Sequence, residues 1–272
     1  MKKTDNLTLI GLGTGIVLLL WGMMMGGSSL KVFFDPASIL ITVGGSFCAL
    51  LITYGIKEIK SVGTLFVQST KESTNSNKEL ISKFVEFSKK SRKDGLLSLE
   101  DDIASLDDDF LKKGLQMVVD GIEPETIREI MELEIGEMEK RHSSGAAVLK
   151  TWSAYAPAFG MIGTLIGLIQ MLSSNLSDAA GIASGMAKAL ITTFYGSLMA
   201  NLVLTPMSIN LSTKSEKESG TRDLMLEGIL AIQSGVNPRI VEEKLVTYLE
   251  PKDKEEYLAQ SISSGEGVRD NG

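Results

Sequence analysis

The sequence predicts an all-α membrane protein with four transmembrane helices and a helical cytoplasmic domain. Three observations support this fold class: long runs without charged residues, densely charged blocks between and after those runs, and apolar residues at helical spacing inside the blocks. The averages over 272 residues, 43% hydrophobic with a net charge of −7, describe neither kind of segment. The two kinds of segment are suited to two different solvents, lipid and water.

Each of the four predicted spans provides the roughly 20 apolar residues that a hydrocarbon core requires. Residues 7–30 and 37–56 contain no charge, a third run covers about 151–172, and a fourth, about 187–211, contains only Lys188. The first run is longer than the apolar part of a typical signal peptide, and a second span follows closely. We therefore interpret the first run as a membrane anchor.

Lysine and arginine residues near the span ends predict the orientation in the membrane. The short segment between spans one and two contains only Lys31, and the segment between spans three and four contains neither residue type. The other span ends are flanked by basic residues: Lys57, Lys60, Lys140, Arg141, Lys214 and Lys217. Both termini and the long block between spans two and three are therefore expected in the cytoplasm.

The spans divide the chain into four predicted segments. In order these are residues 1–56 with spans one and two and a short extracytoplasmic loop, 57–147 as a helical cytoplasmic domain, 148–212 with spans three and four, and 213–272 as cytoplasmic helices followed by a disordered tail.

Helical periodicity is the main signal in the cytoplasmic segments. Apolar residues between 79 and 93 repeat at three- and four-residue spacing. Pro124 begins a helix with early acidic and late basic residues, which is expected to run directly into span three. After span four, residues 221–235 and 238–249 predict two further amphipathic helices. The polar chain beyond Pro251 contains too few apolar residues to fold and is expected to be disordered.

The composition excludes several classes of function. Cys48 is the only cysteine and His142 the only histidine, so we expect no disulfide framework and no metal site. The glycine-rich GLGTGIV lies inside span one and follows no strand, so no cofactor is expected. Basic residues are not interleaved with aromatic ones, which argues against nucleic acid. No nucleophile, base or metal cluster indicates an enzyme.

Spans three and four each contain a face of small residues. In span three this face contains Pro157, Gly160, Thr164 and Gly167. In span four it contains Gly185, Ala189, Thr192, Gly196 and Ala200, with Thr193 beside it. Such spacing allows close helix packing in lipid, and packing alone can account for the glycines. Because a proline leaves a backbone carbonyl unpaired, we expect the face to line an interface or a wet cavity.

The cores of the four spans contain no Asp, Glu or His. Intramembrane ionisable groups are what proton and sodium pathways normally use. The chain alone therefore cannot be a complete ion-driven machine, and a partner helix must supply the carboxylate if cations move. The threonine hydroxyls can hold water or a cation, or can bond back to their own helices. The sequence leaves both roles open.

Three local sequences resemble motifs of one known family. They are APAFGMIGTLIGL in span three, ITTFYG with the later LTP in span four, and SRKDGLLSLE from residue 91 to 100. The family is the A subunit of the bacterial flagellar stator, the MotA/PomA proteins, and the resemblance covers nearly the whole chain. It implies a multi-pass protein in the bacterial cytoplasmic (inner) membrane, in contact with membrane lipid, with both termini in the cytoplasm.

The resemblance also implies functional residues. Arg92 and Glu100 match the basic and acidic positions of the family that contact the rotor, and Lys93 is an additional candidate. Positions expected at the ion path or the partner-helix interface are Pro157, Thr164, Thr192 or Thr193, and Pro206, with Gly160 added because it shares their helical face. The resemblance does not decide between Thr192 and Thr193.

The partners follow from the same resemblance. Five copies of the chain are expected to surround two copies of a MotB/PomB-like B subunit, whose single helix supplies the ion-binding aspartate. Inward cation flow is expected to drive this ring, which turns the rotor protein FliG. Protons are favoured as the commoner coupling ion of the family, and sodium is the alternative.

The nearest alternative function is a TolQ/ExbB-type energiser of envelope processes. That family resembles stators in mechanism, but its usual pattern has three spans, so the extra N-terminal span and the SRKDGLLSLE segment argue against it. A substrate transporter is expected to show larger repeats and polar residues at mid-membrane. A purely structural scaffold explains the glycines but not the prolines and hydroxyls on the same faces.

Overall fold

A computed structural model of the chain describes residues 6–27, 29–56, 58–60, 63–64, 76–173 and 179–263. These residues form helices joined by short turns, with no strand among them, which confirms the predicted all-α class. Lys57, residues 174–178 of the loop between spans three and four, and residues 264–272 of the expected tail lie outside the described residues. The chain divides into two compact units, Met1–Glu72 with Arg141–Ser215 and Ser73–Lys140 with Glu216–Gly272.

The first unit contains the apolar helices. In chain order they are α1 (Asn6–Met25), a 3₁₀ turn (Leu30–Phe33), α2 (Pro36–Ile39), a π-helical turn (Leu40–Gly44) and α3 (Gly45–Thr53). Later in the chain follow α7 (Pro124–Ser173), α8 (Ala179–Leu198), a second π-helical turn (Met199–Leu204) and α9 (Thr205–Gln233). The helices α7 and α9 each contribute residues to both units.

Three helices among the described residues are long and apolar enough to cross a membrane. They cover Leu30–Thr53, Pro124–Ser173 and Ala179–Gln233. The first predicted span forms a helix too, but its apolar part, Ile10–Met25, is shorter than the other three. The predicted total of four spans stays a prediction.

Span two packs within its unit through a polar stripe at four-residue spacing. Ser38, Thr42 and Ser46 are all buried, and the indole Nε1 of Trp152 in span three donates to Ser46 Oγ at 3.1 Å. A Cβ on Gly45 would lie 2.4 Å from the Phe159 ring, so only glycine fits there without a shift. Buried hydroxyls in lipid need such partners because no water is available to replace them.

Two predicted helix boundaries can be compared with the structure. The helix that begins at Pro124 runs without a break to Ser173, as expected. Residues 221–235 were expected to form a separate helix, and this was wrong because α9 continues from span four to Gln233. The connecting residues lack proline and contain several good helix formers, so nothing in them ends the helix.

The second unit is a helical domain with its own apolar core. Its helices are α4 (Asn77–Asp94), a 3₁₀ turn (Leu96–Leu99), α5 (Glu100–Ala104), α6 (Asp109–Val119), α10 (Pro238–Val246) and α11 (Pro251–Ser263), together with parts of α7 and α9. Fully buried side chains at its centre include Ile81, Phe84, Leu115, Ile127, Met131, Leu224, Ile229 and Leu245.

The chain beyond Pro251 is helical as far as Ser263, contrary to the expected disorder. Tyr257 is only 8% exposed and belongs to the core. Lys78 Nζ lies 2.8 Å from an Asp253 oxygen and 2.6 Å from a Glu256 oxygen. One aromatic anchor and two ion pairs therefore hold a segment whose low apolar content predicts disorder, because composition does not reveal tertiary partners.

Glu227 is a partly buried acid held between two cations. Arg128 Nη1 lies 3.2 Å from Glu227 Oε1, and Lys244 Nζ donates to the other carboxylate oxygen. Burial raises the pKa of Glu227, but the hydrogen bonds and charges of Lys244 and Arg128 outweigh it and lower the pKa overall. A lowered pKa means that this stabilisation is present above the ordinary pKa of the group and is lost as the pH falls below it.

We predict that Gly228→Ala destabilises the second unit. A Cβ on Gly228 would lie 2.6 Å from ring carbons of Phe84, which is 1% exposed and cannot move away easily. Overpacking of this kind costs about 1 to 3 kcal/mol of unfolding free energy. The measurement is thermal unfolding of the full chain in detergent, with limited proteolysis to report on this unit.

Gly220→Ala is the matched control for this prediction. It makes the same substitution in the same helix, α9, where nothing lies within 4 Å of an added Cβ. Because alanine favours helix more than glycine does, we expect a small gain of up to about 1 kcal/mol. Equal stability of the two variants would contradict the packing described around Phe84.

Candidate functional site

Spans three and four approach each other closely through glycine. A Cβ on Gly196 would lie 2.7 Å from the Ala156 carbonyl oxygen, and a Cβ on Gly167 would lie 2.7 Å from the Gly185 carbonyl oxygen. These neighbours are backbone atoms, which cannot turn aside as a side chain can. Since apolar surface gives no driving force between helices in lipid, such close backbone contact is what associates them.

The predicted faces of small residues form this contact. In span four the residues Gly185, Ala189, Thr192, Gly196 and Ala200 are all buried. In span three Gly160, Gly163 and Gly167 are buried as well. The small-residue faces were expected to line an interface or a wet cavity, and the structure shows that they pack against each other.

Three threonine hydroxyls converge on one backbone carbonyl. Thr164 Oγ1 lies 3.0 Å from the Ala189 oxygen, Thr192 Oγ1 lies 3.0 Å from it, and Thr193 Oγ1 lies 3.3 Å from it. Thr164 Oγ1 and Thr193 Oγ1 are 2.5 Å apart, so one donates to the other. A hydroxyl donates one hydrogen and accepts two, so lone pairs remain on this pair for water or a cation.

Thr192 and Thr193 have different surroundings in the structure. Thr192 is 1% exposed, its hydroxyl bonds back to Lys188 and Ala189 carbonyls of its own helix, and its Cβ fills the space beside Gly163. Thr193 is exposed on the outer face of the unit. Of the two residues, Thr193 is the one that can present a hydroxyl to a group outside the chain.

Thr42 in span two is a neighbour of this cluster that the sequence reasoning missed. Its Oγ1 lies 3.4 Å from the carbonyl oxygen of Thr192, and its side chain is fully buried. Thr42 belongs to the π-helical turn Leu40–Gly44, which widens the helix locally. The four-residue spacing of Ser38, Thr42 and Ser46 was a signal in the sequence that could have identified this buried polar face.

Pro157 lies inside the continuous helix α7. Because proline has no N–H, the carbonyl of Ser153 loses its ordinary helical partner. The Cα of Pro157 would lie 3.1 Å from a Cβ on Gly196, so the proline belongs to the tight contact with span four. Pro157 and Gly160 lie about one helical turn apart, and both belong to the small-residue contact with span four.

Pro206 is the second residue of α9, and α9 directly follows the π-helical turn Met199–Leu204. A proline ring clashes with the carbonyl four residues before it in a regular α-helix. A wider turn before the proline relieves that clash, which gives a physical reason for the π-helical turn at this position.

The charged segment from residue 91 to 100 forms an exposed turn in the second unit. Arg92 and Lys93 lie in the last turn of α4, and Glu100 is the first residue of α5. All three side chains are exposed, and none forms an ion pair or hydrogen bond within the described part of the chain. Lys90 is different, because it pairs with Asp102 at 2.7 Å, and this hydrogen bond raises the pKa of Lys90.

The described residues contain no cluster of three or more side chains suited to a metal ion. Cys48 is exposed on the helix α3, and His142 Nδ1 lies 3.1 Å from Ser215 Oγ.

Lys188, the charged residue of span four, donates to Gln170 Oε1 of span three at 3.3 Å. The Lys188 side chain therefore extends along the contact between these two spans.

The chain matches two protein-family models. The first is the MotA/TolQ/ExbB proton channel family, over residues 102–223. The second is the motility protein A N-terminal family, over residues 9–95. The two matches lie side by side and together cover most of the chain.

Curated relatives and solved structures cover nearly the full length. Motility protein A of Borreliella burgdorferi is 44% identical over 247 residues, 91% of this chain and 95% of the relative. The chemotaxis protein PomA of Vibrio alginolyticus is 36% identical over 245 residues, 90% of this chain and 95% of the relative. The structure of the flagellar MotAB stator complex from Bacillus subtilis matches with a TM-score of 0.86 and 38% identity, covering 92% of this chain and 98% of that chain.

We predict that Gly196→Ala weakens the contact between spans three and four. The added methyl group meets the Ala156 carbonyl oxygen at 2.7 Å, so the helices must separate, at a cost of about 1 to 3 kcal/mol. The measurement is the thermal midpoint of the purified protein in detergent. Gly136→Ala on α7 is the control, because nothing lies within 4 Å of its added methyl group. A midpoint equal to that of the control variant would contradict the described contact.

Proposed function

The chain belongs to the MotA/TolQ/ExbB proton channel family, and from this premise we propose that it is the A subunit of an ion-driven flagellar stator. It is a subunit of a membrane channel and not an enzyme. The observation that carries the proposal is the full-length match to motility proteins and to a flagellar stator structure. Those relatives favour motility over the envelope energisers of the same family.

The chain requires a B subunit to bind the ion. The cores of its spans contain no Asp, Glu or His, so the acid that a cation pathway uses must come from another chain. Two solved relatives are MotAB complexes, from Bacillus subtilis and C. jejuni. We propose that this chain likewise assembles in the inner membrane with a MotB-like partner, as a ring of five around two partner helices.

The hydroxyls of Thr164 and Thr193 form the ion path that faces the partner carboxylate. They are 2.5 Å apart; Thr193 is exposed and Thr164 half-buried, whereas Thr192 is buried. The proposed ion is the proton, which fits the proton channel family to which the chain belongs. A chain of hydroxyls and water can pass a proton by exchanging donors and acceptors, without removing the hydration shell of a metal cation.

Both termini and the second unit lie in the cytoplasm in this proposal. The basic residues that flank the span ends support this orientation. The second unit then meets the rotor through Arg92, Lys93 and Glu100, which are exposed and without ion-pair partners among the described residues. Individual exposed ion pairs contribute only about 0 to 1 kcal/mol, so contacts of this kind form and break rapidly.

We predict that charge reversal at the turn impairs torque but not assembly. A strain lacking the gene is complemented with the wild-type gene, Arg92→Glu, Glu100→Arg or the double variant. Filaments are counted by microscopy, swimming speed is measured in liquid, and membrane levels are measured by immunoblot. We expect filaments in every strain, swimming with the wild-type gene, and a loss of at least half the speed in each single variant.

Lys83→Glu is a control because it reverses an exposed basic residue of the same helix, α4, outside the turn, and it is expected to swim normally. Any second stator set of the host is removed first. Swimming by the strain without the gene would argue for the envelope energiser. Normal swimming of both single variants and the double variant would overturn the rotor-contact assignment alone.

We predict that Thr193→Val lowers proton flux about tenfold, because it removes one exposed hydroxyl while keeping the side-chain shape. The complex with its B subunit is reconstituted in vesicles, and internal acidification is followed with a pH-sensitive dye. Thr193→Ser restores the hydroxyl and is expected to conduct nearly as well as the wild type. Thr192→Val tests the alternative threonine, and a larger loss of flux there than at Thr193 would reverse the assignment.

A further inference from the structure

Lys188 carries the charge of span four and lies near the start of the predicted run 187–211. Its side chain is half-buried, and its Nζ donates to Gln170 Oε1 of span three at 3.3 Å. The amide group of Gln170 is uncharged, so this hydrogen bond orients the ammonium group without cancelling its charge. Span three itself contains no charged residue from 151 to 173.

The backbone around Lys188 belongs to the threonine site. The Lys188 carbonyl accepts a hydrogen bond from Thr192 Oγ1 at 3.1 Å. The next carbonyl, that of Ala189, is the one on which the three threonine hydroxyls converge. Lys188 precedes Thr193 by five residues, which is about 7.5 Å along an α-helix. The fixed charge and the hydroxyls are therefore carried by the same short stretch of span four.

The ammonium group lies on the extracytoplasmic side of the hydroxyl pair in the proposed orientation. Gln170, which accepts its hydrogen bond, follows Thr164 by six residues, about 9 Å along α7. The charge is therefore on the order of 10 Å from the hydroxyls of Thr164 and Thr193. Salt in water screens exposed charges over about this distance, but partly buried charges are screened much less.

Asp35, before span two, is the acid within the described residues on which the charge of Lys188 acts. The Asp35 carboxylate is held by its own helix, because its Oδ2 accepts hydrogen bonds from the Ser38 N–H at 3.0 Å and from Ser38 Oγ at 2.5 Å. Asp35 and Lys188 form no ion pair in the described part of the chain, and Lys31 in the preceding 3₁₀ turn is exposed. Without an ion pair, Asp35 offsets the charge of Lys188 only in part.

We propose that Lys188 sets the pH range in which the stator conducts, by favouring the ionised form of the partner carboxylate at the threonine site. The proposal rests on the ion path of the proposed function and adds a charged residue of this chain to it. A fixed positive charge near a carboxylate makes proton binding less favourable, because the proton and the ammonium group repel each other. Without that charge, the carboxylate keeps its proton to higher pH.

An electrostatic role of Lys188 differs from a packing role in what it does to the pH profile of the flux. Loss of packing lowers the amount of active complex, which scales the flux equally at every pH. Loss of a charge moves the pH at which the flux is half-maximal. For a partly buried charge on the order of 10 Å from the carboxylate, the expected movement is about one pH unit.

The test is proton flux through the complete complex with its B subunit, reconstituted in vesicles. The pH on the extracytoplasmic side is varied at constant membrane potential. Lys188→Met removes the charge, keeps an unbranched side chain and is expected to raise the half-maximal pH by about one unit. Lys188→Arg keeps the charge and is expected to retain the wild-type half-maximal pH.

Lys150→Met is the matched control, because it removes the charge of an exposed lysine at the other end of span three. Lys150 precedes Thr164 by 14 residues, about 21 Å along the helix, so its charge is too distant to act strongly on the site. We expect this variant to retain the wild-type half-maximal pH.

Gln170→Glu tests the same charge without altering Lys188. Glutamate has nearly the shape of glutamine and places a negative charge beside the ammonium group, which cancels the field of that group at the site. We expect the half-maximal pH to rise, as in Lys188→Met. Gln170→Met removes the hydrogen bond but keeps the ammonium group, and we expect its half-maximal pH to stay close to that of the wild type.

The outcomes distinguish this proposal from the ion path itself. An unchanged half-maximal pH in both Lys188→Met and Gln170→Glu overturns the role of Lys188, even if the flux falls. If Lys188→Met does not assemble, Gln170→Glu decides alone. A wild-type complex that conducts no protons removes the proton path of the proposed function, and this proposal with it.

Discussion

The structure of the first unit depends on the close approach of spans three and four. In lipid, burial of apolar surface does not attract one helix to another. In lipid, association energy comes from packing and hydrogen bonds, and only glycine lets one backbone approach another to the distances seen at Gly167 and Gly196. This approach brings Thr164 and Thr193 from different helices to within hydrogen-bond distance. The same contact buries Thr192 and leaves Thr193 exposed, so one packing constraint decides which hydroxyl is available outside the chain.

The second unit combines a buried apolar interior with a charged turn at its surface. Its core consists of fully buried apolar side chains from several helices, while the turn around Gly95 carries exposed charges that bond to nothing in the described chain. Some charged residues of this unit pair within the fold, for example Glu227 with Arg128 and Lys244. Paired and unpaired charges occur on the same helices, since α4 carries both Lys90, which pairs with Asp102, and the unpaired Arg92.

Much of the fold followed from patterns that act locally. Charge-free runs predicted the apolar helices, and small residues at helical spacing predicted the faces of spans three and four that are suited to close packing. Features that need a partner distant in sequence were missed. The helix beyond Pro251 is held by the ion pairs of Lys78 and by the buried Tyr257. Thr42 contacts Thr192 from a π-helical turn that no local sequence pattern predicts. The choice between Thr192 and Thr193 also required coordinates, because adjacent residues on a helix point about 100° apart and either could face outward.

The absence of an intramembrane acid suits a ring that acts on a partner carboxylate. A carboxylate on each copy of the chain would have to be desolvated or neutralised in lipid, at considerable cost, and would compete with the partner for the ion. Neutral hydroxyls avoid both problems, because they carry no net charge and exchange hydrogen bonds readily. Each copy in the proposed ring then presents the same site, so that the partner carboxylate meets equivalent surroundings at each step.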